Sequence, residues 1–154
     1  MKRILTSECS SKVGEVVQIS GWLFNLRTLG KIAFLLLRDR GGIIQVVLED
    51  PELIKQIKSV QNGSILEVTG KVKSAPNTQL KVEIENPQIK IENPVLEPFT
   101  IDLTKSDINA ELDVVLDYRP ITLRHPKSRA IFKIKPGIVQ YYREFLTQKV
   151  FTEF

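Results

Sequence analysis

The sequence predicts a mainly β fold: a five-stranded barrel, then a linker, then a C-terminal helix. Three observations carry this. Residues 31–48 have the side-chain parity of a β-hairpin with one wholly apolar face. Strand-like runs precede and follow that hairpin with a short helical pattern between them, and past Asn86 prolines replace the alternation until a helical stripe appears near the end.

In chain order, Val16–Leu26 is the first run, with Val17, Ile19 and Leu23 on one side and Trp22, Phe24 and Leu26 on the other. Lys31–Arg38 and Ile43–Leu48 flank Asp39-Arg40-Gly41-Gly42, a turn cluster that marks a hairpin. With the turn centred between Arg40 and Gly41, residue 33 faces 48, 35 faces 46 and 37 faces 44. Ala33, Leu35, Leu37, Ile44, Val46 and Leu48 then share the core face. Asp50-Pro51 is a helix cap followed by proline at the first helical position; Leu53, Ile54, Ile57 and Val60 follow at helical spacing, and Asn62-Gly63 closes the element. Ile65–Lys73 alternates, with Leu66, Val68 and Val72 inward. After the loop 74–79, Leu80, Val82 and Ile84 alternate with charged residues. Three strands, a helix and two strands is the element order of an OB-fold, a small barrel that binds single-stranded nucleic acid or oligosaccharide on one face.

Pro87, Pro94 and Pro98 end the barrel and open a linker. The expected organisation is a barrel domain over 1–92, a linker or hinge over 93–128, and a further segment over 129–154. In the last part Ile131, Ile134, Ile138, Tyr142, Phe145 and Leu146 form a helical stripe, interrupted by Pro136-Gly137. A proline inside a helix costs roughly 3 kcal/mol, so a kink or a late helix start is expected there. One striped helix cannot bury its own face and must pack on the barrel or on something else.

Composition narrows the chemistry. With 154 residues there is room for one ordinary domain and an addition, not for a large enzyme core. A single cysteine excludes an intramolecular disulfide framework and suits a reducing cytoplasm; neither a CxxC pair nor a histidine cluster offers a metal site. No apolar run reaches transmembrane length, so no membrane partner is expected. The net charge of +4 lies wholly in residues 1–91, which carry 13 Lys+Arg against 9 Asp+Glu, and this fits a polyanionic partner. His125, the only histidine, has no nucleophile to serve. Asp113 and Asp117 are not marked as an acid/base pair, and no glycine-rich phosphate loop is present. No catalytic residue and no bound cofactor are expected in this chain: it binds and does not catalyse.

The binding candidates lie on the face of the hairpin that is not core. Phe34 and Gln45 sit diagonally there, an aromatic ring beside an amide, which is what reading a nucleobase requires. Glu83 is an outward carboxylate among Lys71, Lys73 and Lys81 that can accept from a base amino group. Arg27, Lys31, Arg38 and Arg40 are candidate phosphate contacts. A core phenylalanine and solvated polar residues remain the plainer alternatives.

GWLFNLRTLGKIAFLLLRDRGGIIQVVL resembles the anticodon-binding OB domain of aspartyl-tRNA synthetases. The later words Ala110-Glu111-Leu112-Asp113, Leu116-Asp117-Tyr118-Arg119, Leu123-Arg124, Ala130-Ile131-Phe132 and Arg143-Glu144-Phe145 resemble the linker and catalytic-domain entry of the archaeal and eukaryotic type. Arg38-Asp39-Arg40-Gly41-Gly42 ahead of Gln45 favours this family over the related asparaginyl enzymes, which are the main alternative, ahead of a generic single-strand-binding OB domain. The resemblance implies that Phe34 stacks on the central anticodon base, uracil, that Gln45 bonds its edge, and that Glu83 and Arg27 help read the same loop. Phe24 and the loop 74–79 lie where tolerance at the third anticodon base is decided. The partner implied is tRNA(Asp), with tRNA(Asn) open as a second. The motifs that bind ATP with Mg2+ and form the adenylate in the parent ligase, a homodimer, are absent before Phe154.

Overall fold

The computed structural model describes residues 2–153. The chain forms two compact units, Met1–Phe99 and Thr100–Phe154. The first contains β1 (Arg3–Ile4), a 3-10 turn (Thr6–Ser11), β2 (Val16–Leu29), β3 (Ile32–Arg38), β4 (Ile43–Leu48), α1 (Pro51–Lys58), β5 (Ile65–Ser74) and β6 (Val82–Asn93). The strands run β2-β3-β4-β6-β5, and β5 pairs back onto β2, closing a ring of five; β1 adds in parallel to β2 at Gln18 and Ile19, along the edge that β3 takes up from Trp22 onward.

The hairpin register is the one expected: Ala33 pairs with Leu48, Leu35 with Val46 and Leu37 with Ile44. All six of these side chains are buried, together with Val17, Ile19, Leu23, Leu66, Val68, Val72, Val82 and Ile84 from the other strands. α1 starts where its cap predicts, with the Asp50 carboxylate accepting the Glu52 N–H at 3.1 Å, and it buries Ile54 and Ile57. Gly63 follows at φ +93°, a left-handed conformation suited to glycine.

Register shifts interrupt simple alternation; besides one near the end of β6, where Ile65 pairs with Asn93 but Leu66 with Ile91, two lie within the strands and reverse their side-chain parity. In β2, Leu23 pairs with Leu37 but Asn25 pairs with Leu36, so Phe24 is the extra residue. Leu26, expected beside Trp22 and Phe24, therefore lies opposite Leu35 and packs on the core. In β6 the register shifts between Glu85 and Gln88, at Asn86 (φ +50°) and Pro87. The proline does not end the barrel as expected. It sits in the bulge, and Ile89 and Ile91 pack on the core in a strand that runs to Asn93. Gly70 of β5 faces this bulge: a Cβ there would collide with the Ile84 side chain and approach the Glu85 carbonyl to 2.9 Å.

The N-terminal residues, which show no periodicity, are part of this unit. Cys9 is fully buried in the core. Burial, with smaller contributions from Asp39 and Glu8, pushes its thiol up from 9.0 to about 11. Because the folded value is the higher one, its contribution to stability is full below pH 9 and is lost as the pH rises toward 11. The thiolate is the reactive form, so alkylation of the folded chain at pH 8 should run at least about a hundredfold slower than in urea-unfolded chain. Equal rates with iodoacetamide would mean that the N-terminal turn is not docked.

The second unit holds α2 (Leu112–Asp117), α3 (Arg119–Thr122) and α4 (Pro126–Gln148). Two short helices thus occupy part of the stretch expected to be linker. α4 continues through Pro136, which excludes the late start, one of the two outcomes expected there: the helix begins ten residues earlier, at Pro126. His125 is its N-cap. The buried imidazole accepts the Lys127 N–H on Nδ1 at 3.2 Å, which leaves the proton on Nε2 to bond the Lys105 carbonyl at 3.0 Å. Its role is to fasten the preceding loop to the helix start. Ile131, Ile134, Ile138, Tyr142 and Phe145 of the stripe are exposed. Among the described residues no helix is long and apolar enough to cross a membrane.

Candidate nucleic-acid interface

The outer face of the ring gathers the candidate residues in two adjacent cross-strand rows. The first is Arg27 of β2, Phe34 of β3 and Val47 of β4, in direct register. Arg27 reaches this row only because of the Phe24 bulge; by the parity of Val17, Ile19 and Leu23 it would point inward. The second row is Leu36 of β3, Gln45 of β4, Glu83 of β6 and Lys73 of β5. Phe34 and Gln45 are diagonal neighbours on antiparallel strands, roughly 7–8 Å apart, so a ring and an amide can touch one planar group.

Phe34 and Gln45 are both half-buried, as is Glu83. Gln45 donates from Nε2 to Glu83 Oε2 at 2.9 Å, across the parallel pairing of β4 and β6. Arg27, Lys31, Lys71, Lys73 and Lys81 are exposed. Lys73 pairs with Glu85 at 3.4 Å, an exposed contact of little stabilising value that leaves the ammonium available to a partner. Lys81 stands at φ +58° where the loop enters β6. A cleft of about 180 Å³ adjoins the second row, lined by Val47, Asp50, Leu53, Lys73 and Glu83 among others. Its acidic lining suits amino groups rather than phosphates.

Two expectations are changed by the structure. Arg38 is only 8% exposed, and its guanidinium lies 5.5 Å from the centroid of the Phe24 ring. It holds the bulged phenylalanine by a cation–π contact instead of standing out toward phosphate. Asp39, given no role by the sequence beyond its place in the turn, is the most heavily bonded side chain of the hairpin. Its buried carboxylate accepts from the Thr6 N–H (2.9 Å) and hydroxyl (2.5 Å) and from the N–H groups of Gly41 (2.7 Å) and Gly42 (3.1 Å). The signal was present as Asp-x-Gly-Gly, an aspartate bonding its own turn; the partner at Thr6 was not legible. Among the described residues no group of three or more His, Cys, Asp or Glu side chains could hold a metal ion.

Residues 17–92 match the tRNA anticodon family of OB-fold nucleic acid binding domains. Over 98% of its length the chain is 35% identical to an aspartate–tRNA(Asp/Asn) ligase of Archaeoglobus fulgidus, of which it covers 36%. It is 36% identical, over 91% of its length, to an aspartate–tRNA(Asp) ligase of Thermococcus kodakarensis, of which it covers 33%. The asparaginyl-tRNA synthetase of Pyrococcus horikoshii, solved with asparaginyl-adenylate, superposes with a TM-score of 0.80 at 27% identity, covering 97% of this chain and 35% of that one. The chain thus spans about a third of the length of the curated relatives it matches. Closed ring, register and similarity agree: residues 17–92 form an anticodon-type OB-fold domain, and the chain is homologous to part of the aspartate–tRNA ligases.

Proposed function

We propose that this chain reads the anticodon of tRNA(Asp) as the N-terminal module of an aspartate–tRNA ligase. The observation that carries the reading is the diagonal placement of Phe34 and the Gln45–Glu83 pair on the outer face of the ring. An unstacked base lies on the Phe34 ring, the amide bonds its edge, and Arg27, Lys31, Lys71, Lys73 and Lys81 attract the backbone. The central base assigned to Phe34 and Gln45 is uracil. Domain limits of 1–92, 93–128 and 129–154 accompany this reading.

ATP with Mg2+ and aspartate belong, in this proposal, to the two thirds of the ligase that the chain does not span. We propose that the chain alone does not catalyse the reaction, so that ATP–pyrophosphate exchange with aspartate should be nil. The parent is proposed to be a cytoplasmic homodimer. The asparaginyl-enzyme neighbour keeps a second reading in view, since tRNA(Asp) and tRNA(Asn) share the central uracil and differ at the third anticodon base.

Titration of the chain with an aspartate anticodon stem-loop, its single-base variants and oligo-dT tests the proposal. The expected order is aspartate stem-loop first, the central-base variant weaker, and oligo-dT weakest. Indifference among the three reduces the chain to a generic single-strand binder.

A further inference from the structure

We infer that Glu83 is a positioning residue that fixes which way round the Gln45 amide is presented, and so sets which pyrimidine the site accepts. The inference rests on the anticodon-reading proposal above. A glutamine amide carries an acceptor on one side and donors on the other, and by turning over it can satisfy two opposite base edges. Uracil offers a donor at N3 and an acceptor at O4; cytosine offers an acceptor at N3 and a donor at N4. An amide free to turn on its χ3 bond bonds either base and discriminates neither.

Gln45 is not free to turn. A carboxylate can only accept, so the group facing Glu83 Oε2 at 2.9 Å has to be the amide NH2. Turning the amide over would put its carbonyl oxygen against the carboxylate and forfeit a charge-assisted hydrogen bond. The backbone reinforces this arrangement. Gln45 and Glu83 are in register on neighbouring strands, and β6 is held on its other side by β5, where Glu83 faces Lys73. One N–H of Gln45 is thus consumed, and the carbonyl oxygen and the remaining N–H meet the base in a fixed order. With the base plane set by Phe34 on the adjacent row, uracil and cytosine need opposite orders. Only one fits.

The test is the ratio of affinities of the 154-residue chain for anticodon stem-loops with uracil or cytosine at the central position. A fixed bidentate edge is worth roughly 1–3 kcal/mol of discrimination, so the unmutated chain should prefer uracil by about 5- to 150-fold. In Glu83→Gln the neighbour can donate as well as accept. The amide is then free to turn, and the ratio should fall to within about threefold of unity, mainly through gained cytosine binding. Glu83→Ala, which removes the partner without replacing it, should behave likewise and serves if the glutamine variant folds poorly. A charge effect alone would raise affinity for both stem-loops together and leave the ratio alone. A uracil preference retained in both variants overturns the positioning role while leaving the anticodon reading standing. No preference in the unmutated chain overturns both.

Discussion

Asp39→Ala is expected to destabilise the barrel by about 3–5 kcal/mol in urea unfolding. The carboxylate is buried and accepts four hydrogen bonds. Bonds to a charged group contribute roughly 1.5–3 kcal/mol each, and a buried donor left without a partner costs about 1–3 kcal/mol. The sum is not additive, because the two glycine N–H groups are nearer the surface than Thr6 and can recruit water. Losses above 4 kcal/mol come from a short set of causes, and loss of a buried hydrogen-bond network is one. Asp39→Asn keeps the shape but turns an NH2 toward donors, and should retain only part of the loss. The amide of Thr6 should also exchange much faster with solvent in Asp39→Ala. A measured change under 1 kcal/mol would show that water replaces the carboxylate.

Phe34→Ala should weaken binding of the aspartate anticodon stem-loop by roughly 1–3 kcal/mol, about 5- to 150-fold, which is the usual worth of one stacked base. The fold should survive it. Phe34 lies on the opposite side of β3 from Ala33 and Leu35, which are fully buried, so no core cavity opens and a strand-propensity loss of about 1 kcal/mol is the upper bound. Phe34→Leu separates stacking from apolar contact. Leucine keeps hydrophobic area without a π-face, so most of the affinity should be lost with it too. Leucine binding at the level of the unmutated chain would assign Phe34 to packing and remove it from the site.

Where a strand is regular, its sequence was enough. Alternation across Asp39-Arg40-Gly41-Gly42 gave the pairing of Leu35 with Val46 and thereby the diagonal of Phe34 and Gln45, because a two-residue period leaves one register that buries one face. The bulges were not legible, because an extra residue changes parity without changing composition. Phe24 continues an apolar run, and Leu26 looks as apolar on one face as on the other. Pro87 was misread for a related reason. A proline in a strand signals an edge, an end or a bulge, and only the facing Gly70 in the folded barrel separates these. Pro136 went the other way: a helix of 23 residues carries it in its interior, although the local preference is against it. Arg38 could be placed on the outer face but not under Phe24, since nothing in one chain states which cation a ring will meet. The Gln45–Glu83 bond spans 38 residues, and its two members were singled out separately, each for its own chemistry.

The Thr6–Asp39 anchor bears on where this barrel begins as a folding unit. The segment shared with other anticodon-type OB domains starts at residue 17. Excised there, the barrel would lose the Cys9 side chain from its interior, both Thr6 donors from Asp39, and the Ser10 hydroxyl that bonds the Leu80 carbonyl at 3.0 Å. Those three losses fall on one end of the ring, where the β3–β4 turn and the approach to β6 meet. The autonomous unit is therefore longer than the 17–92 segment that matches the OB-fold family. The turn Thr6–Ser11 acts as an end-plug, and without it the recognition face would be mounted on a barrel left open at its base.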